Sequence, residues 1–165
     1  MKILGVDPSL RSTGYAVIEA SGTQLTPLIH GHIKNSPSLL PSRCLVAISD
    51  KLTGVIQRYQ PDVMSVEGLV YVQNTKIAAT LGQVRGVAIA AAAAHGLAIY
   101  EYAPRKVKQS VTGQGAAGKT QVAQMVKAQL GLTELPQLDA ADALALAICH
   151  AHSCRGAQLN PPKQI

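Results

Sequence analysis

The sequence predicts an α/β layered fold built on a mixed five-stranded sheet. Three strand-like runs follow one another at the start with only short polar turns between them, which makes an antiparallel meander. Helical and strand patterns then alternate, so the fourth strand returns parallel to the first through a right-handed crossover.

Lys2 to Val6 is an apolar run that stops at Asp7, and the turn Pro8-Ser9-Leu10-Arg11-Ser12-Thr13-Gly14 leads to a hairpin partner, Tyr15 to Glu19. Gln24 to Ile33 is a third strand, with Pro27 weakening its start. Leu45, Ile48, Leu52 and Ile56 fall on one stripe and predict a helix over Pro41 to Tyr59. Pro61-Asp62 breaks it, and Val63 to Val66 makes a fourth strand that stops at Glu67. Asn74 to His95 is a long helix of small residues with Ile77, Leu81 and Val84 along one side. Gly82 and Gly86, one turn apart on it, admit a second helix backbone; internal packing is a commoner use of such a pair than a dimer seam. Gly96 ends this helix, Leu97 to Tyr100 supply a fifth strand, and helices cover Pro104 to Thr112, Lys119 to Leu130 and Leu138 to His152. Residues 153–165 read as a loose tail. No repeat, low-complexity block or linker divides the chain.

At 165 residues the chain can bury a core unaided. With no Phe and no Trp, that core is aliphatic, and any base-stacking surface is limited to five tyrosines. Fifteen Lys and Arg against nine Asp and Glu give a net charge of +6. A basic excess fits a polyanion, because each neutralised phosphate releases counterions, but it fits a merely soluble basic protein equally well. If four of the acids are sequestered at a site, fifteen bases face five acids and the remaining balance is +10. Cys44, Cys149 and Cys154 lack metal-ligand spacing and fit a reducing compartment. The start KILGVDPSL has no signal-peptide core, and the longest uncharged apolar stretch, Val87 to Ala94, is too short to span a bilayer. A cytoplasmic protein without membrane insertion is expected.

Asp7 and Glu67 share a setting: each ends a short strand and follows a Val. A carboxylate at the end of a buried strand is unfavourable unless paired, protonated or metal-bound. In open α/β sheets, functional groups gather at the carboxyl ends of strands. Taken singly, either acid is more simply a capping or turn residue. Asp139 and Asp142 stand three apart at the start of an apolar helix, on one face. Asp in a first turn also suits the helix dipole, and Asp139 could be an N-cap. Yet like charges on adjacent turns repel, and the surrounding alanines leave them unshielded, so the spacing favours a shared metal site. Four carboxylates from three segments are an oxygen-ligand set for Mg²⁺ or Mn²⁺. Zinc is disfavoured, since no His or Cys accompanies them.

Gly113-Gln-Gly-Ala-Ala-Gly118-Lys119-Thr120 matches the phosphate-loop pattern GxxxxGK[ST]. That loop must follow a buried strand, whereas the polar, basic stretch Arg105 to Ser110 precedes this one. Lys106, Lys108 and Lys119 beside a glycine loop at a helix start suit DNA phosphates better. Arg85, in the middle of the long helix, is a further DNA candidate or a packing or dimer residue. The five histidines are scattered, and only His150 and His152 fall near the last acids.

Gly5-Val6-Asp7-Pro8-Ser9-Leu10-Arg11-Ser12-Thr13-Gly14 resembles the opening of the RuvC crossover-junction endodeoxyribonucleases. So do Leu81-Gly82-Gln83-Val84-Arg85-Gly86-Val87-Ala88, Val107-Lys108-Gln109 and Asp139-Ala140-Ala141-Asp142-Ala143-Leu144-Ala145, in order, from about residue 2 to residue 152. The resemblance implies an RNase H-like domain over residues 1–152, with helices on both faces of the sheet. It implies a Mg²⁺-dependent homodimer with two ions per active site, in which Mn²⁺ can substitute. Such a dimer makes paired, symmetric nicks in four-way DNA junctions during recombination and repair, beside the RuvA and RuvB branch-migration proteins. The family's four catalytic acids fall on Asp7, Glu67, Asp139 and Asp142. Two departures stand out: Ser9 replaces a glycine, and Val70 stands where relatives carry a Phe that wedges into the junction. Tyr71, or Leu69 with Val70, is left to open the junction.

Overall fold

A computed structural model describes residues 1–68, 74–155 and 162–165. In chain order the elements are β1 (Lys2–Asp7), β2 (Ser12–Ser21), β3 (Gln24–Lys34), α1 (Pro41–Tyr59), β4 (Val63–Glu67), α2 (Thr75–Ala93), β5 (Ala98–Tyr102), α3 (Pro104–Thr112), α4 (Lys119–Leu130), α5 (Leu138–Ser153) and β6 (Lys163–Gln164). The sheet runs β3-β2-β1-β4-β5-β6. β1, β4 and β5 are parallel, and the other neighbours are antiparallel. The five expected strands and their order are therefore present.

β6 is additional. It lies in the stretch that the sequence marks as a loose tail, where Lys163 and Gln164 pair with Glu101 and Tyr100 on the free edge of β5. Two exposed polar residues show no alternation in sequence; only the edge they meet makes them a strand. Pro27 is tolerated because β3 is the opposite edge and its register with β2 shifts there, between the pairs Val17–Ile29 and Ile18–Pro27.

Side chains alternate across each strand, so the sheet separates two cores. Leu4, Val6, Val17, Met64 and Val66 pack with Ile48, Leu52 and Ile56 of α1 and with Val84, Ala88 and Ala92 of α2. Ile3, Ala16 and Ile18 pack on the other face with the alanines, Leu144 and Ile148 of α5, backed by α3 and α4. Ile77 departs from the expected apolar side of α2: it is 57 % exposed, and the buried line of that helix runs Val84, Ala88, Ala91 and Ala92. The helical period holds there, but the stripe begins two turns later.

Glycine sets how closely α5 lies on the sheet. A Cβ on Gly5 would sit 2.0 Å from the Ala143 carbonyl oxygen, and one on Gly14 would sit 1.9 Å from that of Asp139. Both are impossible approaches, so the helix backbone rests directly on β1 and β2. The Ser65 hydroxyl adds a bond to the Leu146 carbonyl at 2.8 Å. The first turn of α5 is thereby placed over the end of β1.

Candidate active site

β1 and β4 lie side by side in parallel register, with Val6 opposite Val66. The next residue on each is an acid, and alternation turns both away from the α1–α2 core, toward α5. Asp142 meets them from the helix. Asp7, Glu67 and Asp142 line one cavity of about 240 Å³, together with Lys108, Lys119, Val107, Val122 and Leu146. Asp139 stands beside it, one turn earlier, with its carboxylate taking a hydrogen bond from the Ser12 hydroxyl. The N-cap of α5 is Gln137 rather than Asp139, and no side chain caps that end. The capping account of Asp139 is thus set aside.

Asp7 is the centre of this group. Burial pushes its carboxyl up to about 7, and the charges of Asp142, Glu67 and Asp139 all push the same way. Glu67 is also raised, by burial first and by Asp142 second. Lys119 works against both, since its Nζ donates to Asp142 Oδ2 at 3.2 Å, and that pairing raises the ammonium's own pKa. Mutually repelling carboxylates around a cavity are what a cation would relieve. The donors are all oxygens, which suits a hard divalent ion. Among the described residues, no three His, Cys, Asp or Glu side chains already converge tightly enough to enclose one. Asp139 is bonded to the Ser12 hydroxyl and Asp142 to the Lys119 ammonium.

The expected DNA-binding residues separate. Lys108 and Lys119 line the cavity. Lys106 is exposed, with its Nζ 5.4 Å from the centre of the Tyr102 ring. Arg85 is held within the protein, bonded to the Glu67 carbonyl and the Glu101 carboxylate. Tyr71, with Leu69 and Val70, lies outside the described residues. The glycine loop before Lys119 follows helix α3, not a strand, which removes the nucleotide-binding reading. His150 lies in the core, its Nδ1 2.7 Å from the Tyr102 hydroxyl, and burial lowers its pKa to about 4. It is a neutral structural group. Ser12, Gly14 and Glu101 gain their meaning only from the fold, since their partners stand far along the chain.

A second cavity lies beside the β1–β2 turn. Ser9, Leu10, Arg11, Lys76, Ile77, Thr80 and Leu81 line an open groove of about 420 Å³ running from the β1–β2 turn along the start of α2. Leu81 also borders a small pocket lined by Asp7, Pro8, Glu67, Gly68 and Arg85.

Residues 3–150 match the family model described as crossover junction endodeoxyribonuclease RuvC. The chain belongs to the RuvC family. A RuvC from Caldicellulosiruptor saccharolyticus is 46 % identical over 152 residues, covering 91 % of this chain and 92 % of that one. One from Haemophilus ducreyi is 50 % identical over 151 residues, covering 92 % of this chain and 78 % of its own. The structure of T. thermophilus RuvC in complex with Holliday junction substrate superposes with a TM-score of 0.91 at 30 % identity, over 100 % of this chain and 99 % of that one. RuvC proteins are metal-dependent nucleases with an RNase H-like fold, and the mixed sheet with helices on both faces is that fold. Among the described residues no helix is long and apolar enough to cross a membrane.

Proposed function

We propose that Asp7, Glu67, Asp139 and Asp142 hold the divalent metal with which this crossover junction endodeoxyribonuclease nicks four-way DNA junctions. The observation that carries this reading is the single cavity lined by Asp7, Glu67 and Asp142, with Asp139 one helical turn before Asp142. Two Mg²⁺ ions, or Mn²⁺ in their place, would supply the activated water and the charge neutralisation that phosphodiester hydrolysis needs. The protein supplies placement. The β1–β4 register fixes Asp7 beside Glu67, Gly14 lets α5 bring Asp139 and Asp142 to them, and Ser12 orients Asp139. Lys108 and Lys119 offer ammonium groups for the phosphates of the strand being cut. The groove between Arg11 and Lys76 supports a path for that strand.

The chain acts as a homodimer in this reading, alongside the RuvA and RuvB proteins. α2 supports the dimer: Ala79, Gln83, Gly86, Ala90 and Ala93 are exposed along one face. A Cβ on Gly82 or Gly86 would meet nothing within 4 Å. Packing among the described residues therefore gives neither glycine a reason to be there, whereas a second α2 would use both. Two sites related by a two-fold axis match a junction with the same symmetry.

The test is a synthetic four-way junction incubated with the protein in Mg²⁺ or in EDTA, for the native chain and for Asp7→Asn. Paired nicks should form with metal and vanish without it. Asp7→Asn should still bind the junction, with cleavage down at least about a hundredfold. Cutting that survives Asp7→Asn would overturn the assignment.

A further inference from the structure

We propose that Arg85 is a positioning residue for Glu67, holding the catalytic end of β4 by its main chain rather than contacting DNA. This rests on the reading of Glu67 as a metal ligand. Arg85 lies in the middle of α2, and its side chain is only 12 % exposed. Its Nε donates to the Glu67 carbonyl oxygen at 3.2 Å, and its Nη2 pairs with Glu101 Oε2. Glu101 is itself held from the other side by Lys163 of β6, with Nζ to Oε1 at 3.0 Å. Two of the three guanidinium nitrogens are thus engaged, and the planar fork spans both acceptors in a way that an ammonium cannot copy.

The geometry around that contact leaves little slack. Glu101 sits opposite Val66 in the β4–β5 register, one place before the pair Glu67–Tyr102. The Gly68 amide donates to the Tyr102 carbonyl at 2.8 Å. A Cβ on Gly68 would come within 3.1 Å of Glu101 Cγ, so the Glu101 side chain lies directly against the backbone that follows Glu67. Three segments meet there: α2 through Arg85, the end of β4 through the Glu67 carbonyl, and β5 through Glu101. The β4–β5 ladder holds the end of β4 from one side through Tyr102, and Arg85 adds a restraint from α2 at the Glu67 carbonyl. Hydrogen bonds that orient a metal-binding residue, when removed, commonly lower metal affinity or activity about 10–100-fold.

The test compares Arg85→Met, Arg85→Lys, Glu101→Gln and Glu67→Gln with the native protein. Junction affinity in EDTA, single-turnover cleavage rate, Mn²⁺ binding by electron paramagnetic resonance and thermal unfolding would be measured for each. Arg85→Met should bind the junction within about twofold of native while cleaving roughly 10–100-fold more slowly and binding Mn²⁺ several-fold more weakly. Arg85→Lys should recover part of the rate, and Glu101→Gln should show a smaller loss of the same kind. If Arg85→Met does not fold, Glu101→Gln decides. Native cleavage and Mn²⁺ binding in the folded variants would overturn the proposal. So would weakened junction binding at an unchanged cleavage rate, which would make Arg85 a DNA contact. Glu67→Gln separates the two readings: if it cuts like the native protein, the assignment of Glu67 fails and the role of Arg85 falls with it. If it is inactive while Arg85→Met is native, only the positioning role fails.

Discussion

On the α1–α2 face of the sheet, Leu4, Val6, Val17, Ile48, Leu52 and Met64 fill the space between layers with bulky side chains. On the α5 face, Gly5 and Gly14 remove side chains altogether, and helix backbone comes down onto strand backbone. Both faces bury apolar surface, yet they constrain the molecule differently. Interdigitated aliphatic side chains can repack around a change, because rotamers absorb it. Backbone resting on backbone has no rotamer to adjust, so the distance from sheet to helix is fixed by what is missing. The four acids sit on that second face, where their separation is set by the chain itself.

This difference can be broken deliberately. Leu52→Ala, on the first face, should lower stability by about 2–5 kcal/mol through the cavity it leaves. The folded molecules should cut junctions at close to the native rate. Gly14→Ala introduces a Cβ that clashes with the Asp139 carbonyl, and Asp7 is the residue paired with Gly14 across the β1–β2 ladder. It should lose stability on a similar scale, since overpacking typically costs about 1–3 kcal/mol and a backbone clash lies at the upper end. Unlike Leu52→Ala, it should lower cleavage at least about tenfold when rates are compared per folded molecule. Denaturant titration and single-turnover cleavage on the same samples check both. Equal activity in the two variants would mean that the close approach of α5 does not set the site.

How much of the molecule is legible in the sequence follows the same division. The α1–α2 face announces itself through periodicity: the stripe of α1 predicts a helix over Pro41–Tyr59, which is what forms. The strand ends are legible because Asp7 and Glu67 each break an apolar run. The α5 face is legible only in outline. Asp139 and Asp142 show their spacing, but nothing local says that Ser12, 127 residues away, takes one of them, or that Lys119 takes the other. By sequence Arg85 is a DNA candidate or a packing or dimer residue, and only the fold reveals its pairing with Glu101. The pair Gly82 and Gly86 favours internal packing by sequence, and among the described residues a Cβ at either position would meet nothing within 4 Å. Long-range polar pairs leave no period in a sequence.

The two faces also differ in their response to pH. With its pKa raised to about 7 in the fold against 3.8 unperturbed, Asp7 binds its proton more tightly in the folded chain than in the unfolded one. Its neutral form therefore contributes stability that is fully present below about pH 4 and is lost as pH rises through about 7. The metal-free protein should lose about 2 kcal/mol from this group between those limits, after discounting the shift for partial solvent screening, or roughly 4–8 °C in Tm. Asp7→Asn should abolish that loss and be more stable than the native chain at pH 8 in EDTA. Adding Mg²⁺ should restore native stability at pH 8 and do little for the variant. Parallel pH–Tm curves for the two proteins would show that the fold does not raise the Asp7 carboxyl.

The smallest expected effect concerns the cations of the two faces. Lys119 lies at the mouth of the acid cavity, held by Asp142, with its side chain 65 % exposed. Lys51, on α1, rests its Nζ 5.4 Å from the centre of the Tyr15 ring on the opposite face. Each carries one charge, so their difference in DNA binding must come from position. In an Asp7→Asn background, which is expected to bind without cutting, junction affinity can be measured across a salt series. Lys119→Ala should weaken binding and make the dependence of log K on log salt shallower by about 0.9, because one phosphate is no longer neutralised. Lys51→Ala should leave the slope unaltered, because a cation facing away from the bound strand releases no counterion on binding. Equal changes in slope for the two lysines would mean that the DNA senses only net charge. No change for Lys119 would mean that its ammonium stays with Asp142 in the complex and serves the acids rather than the phosphate.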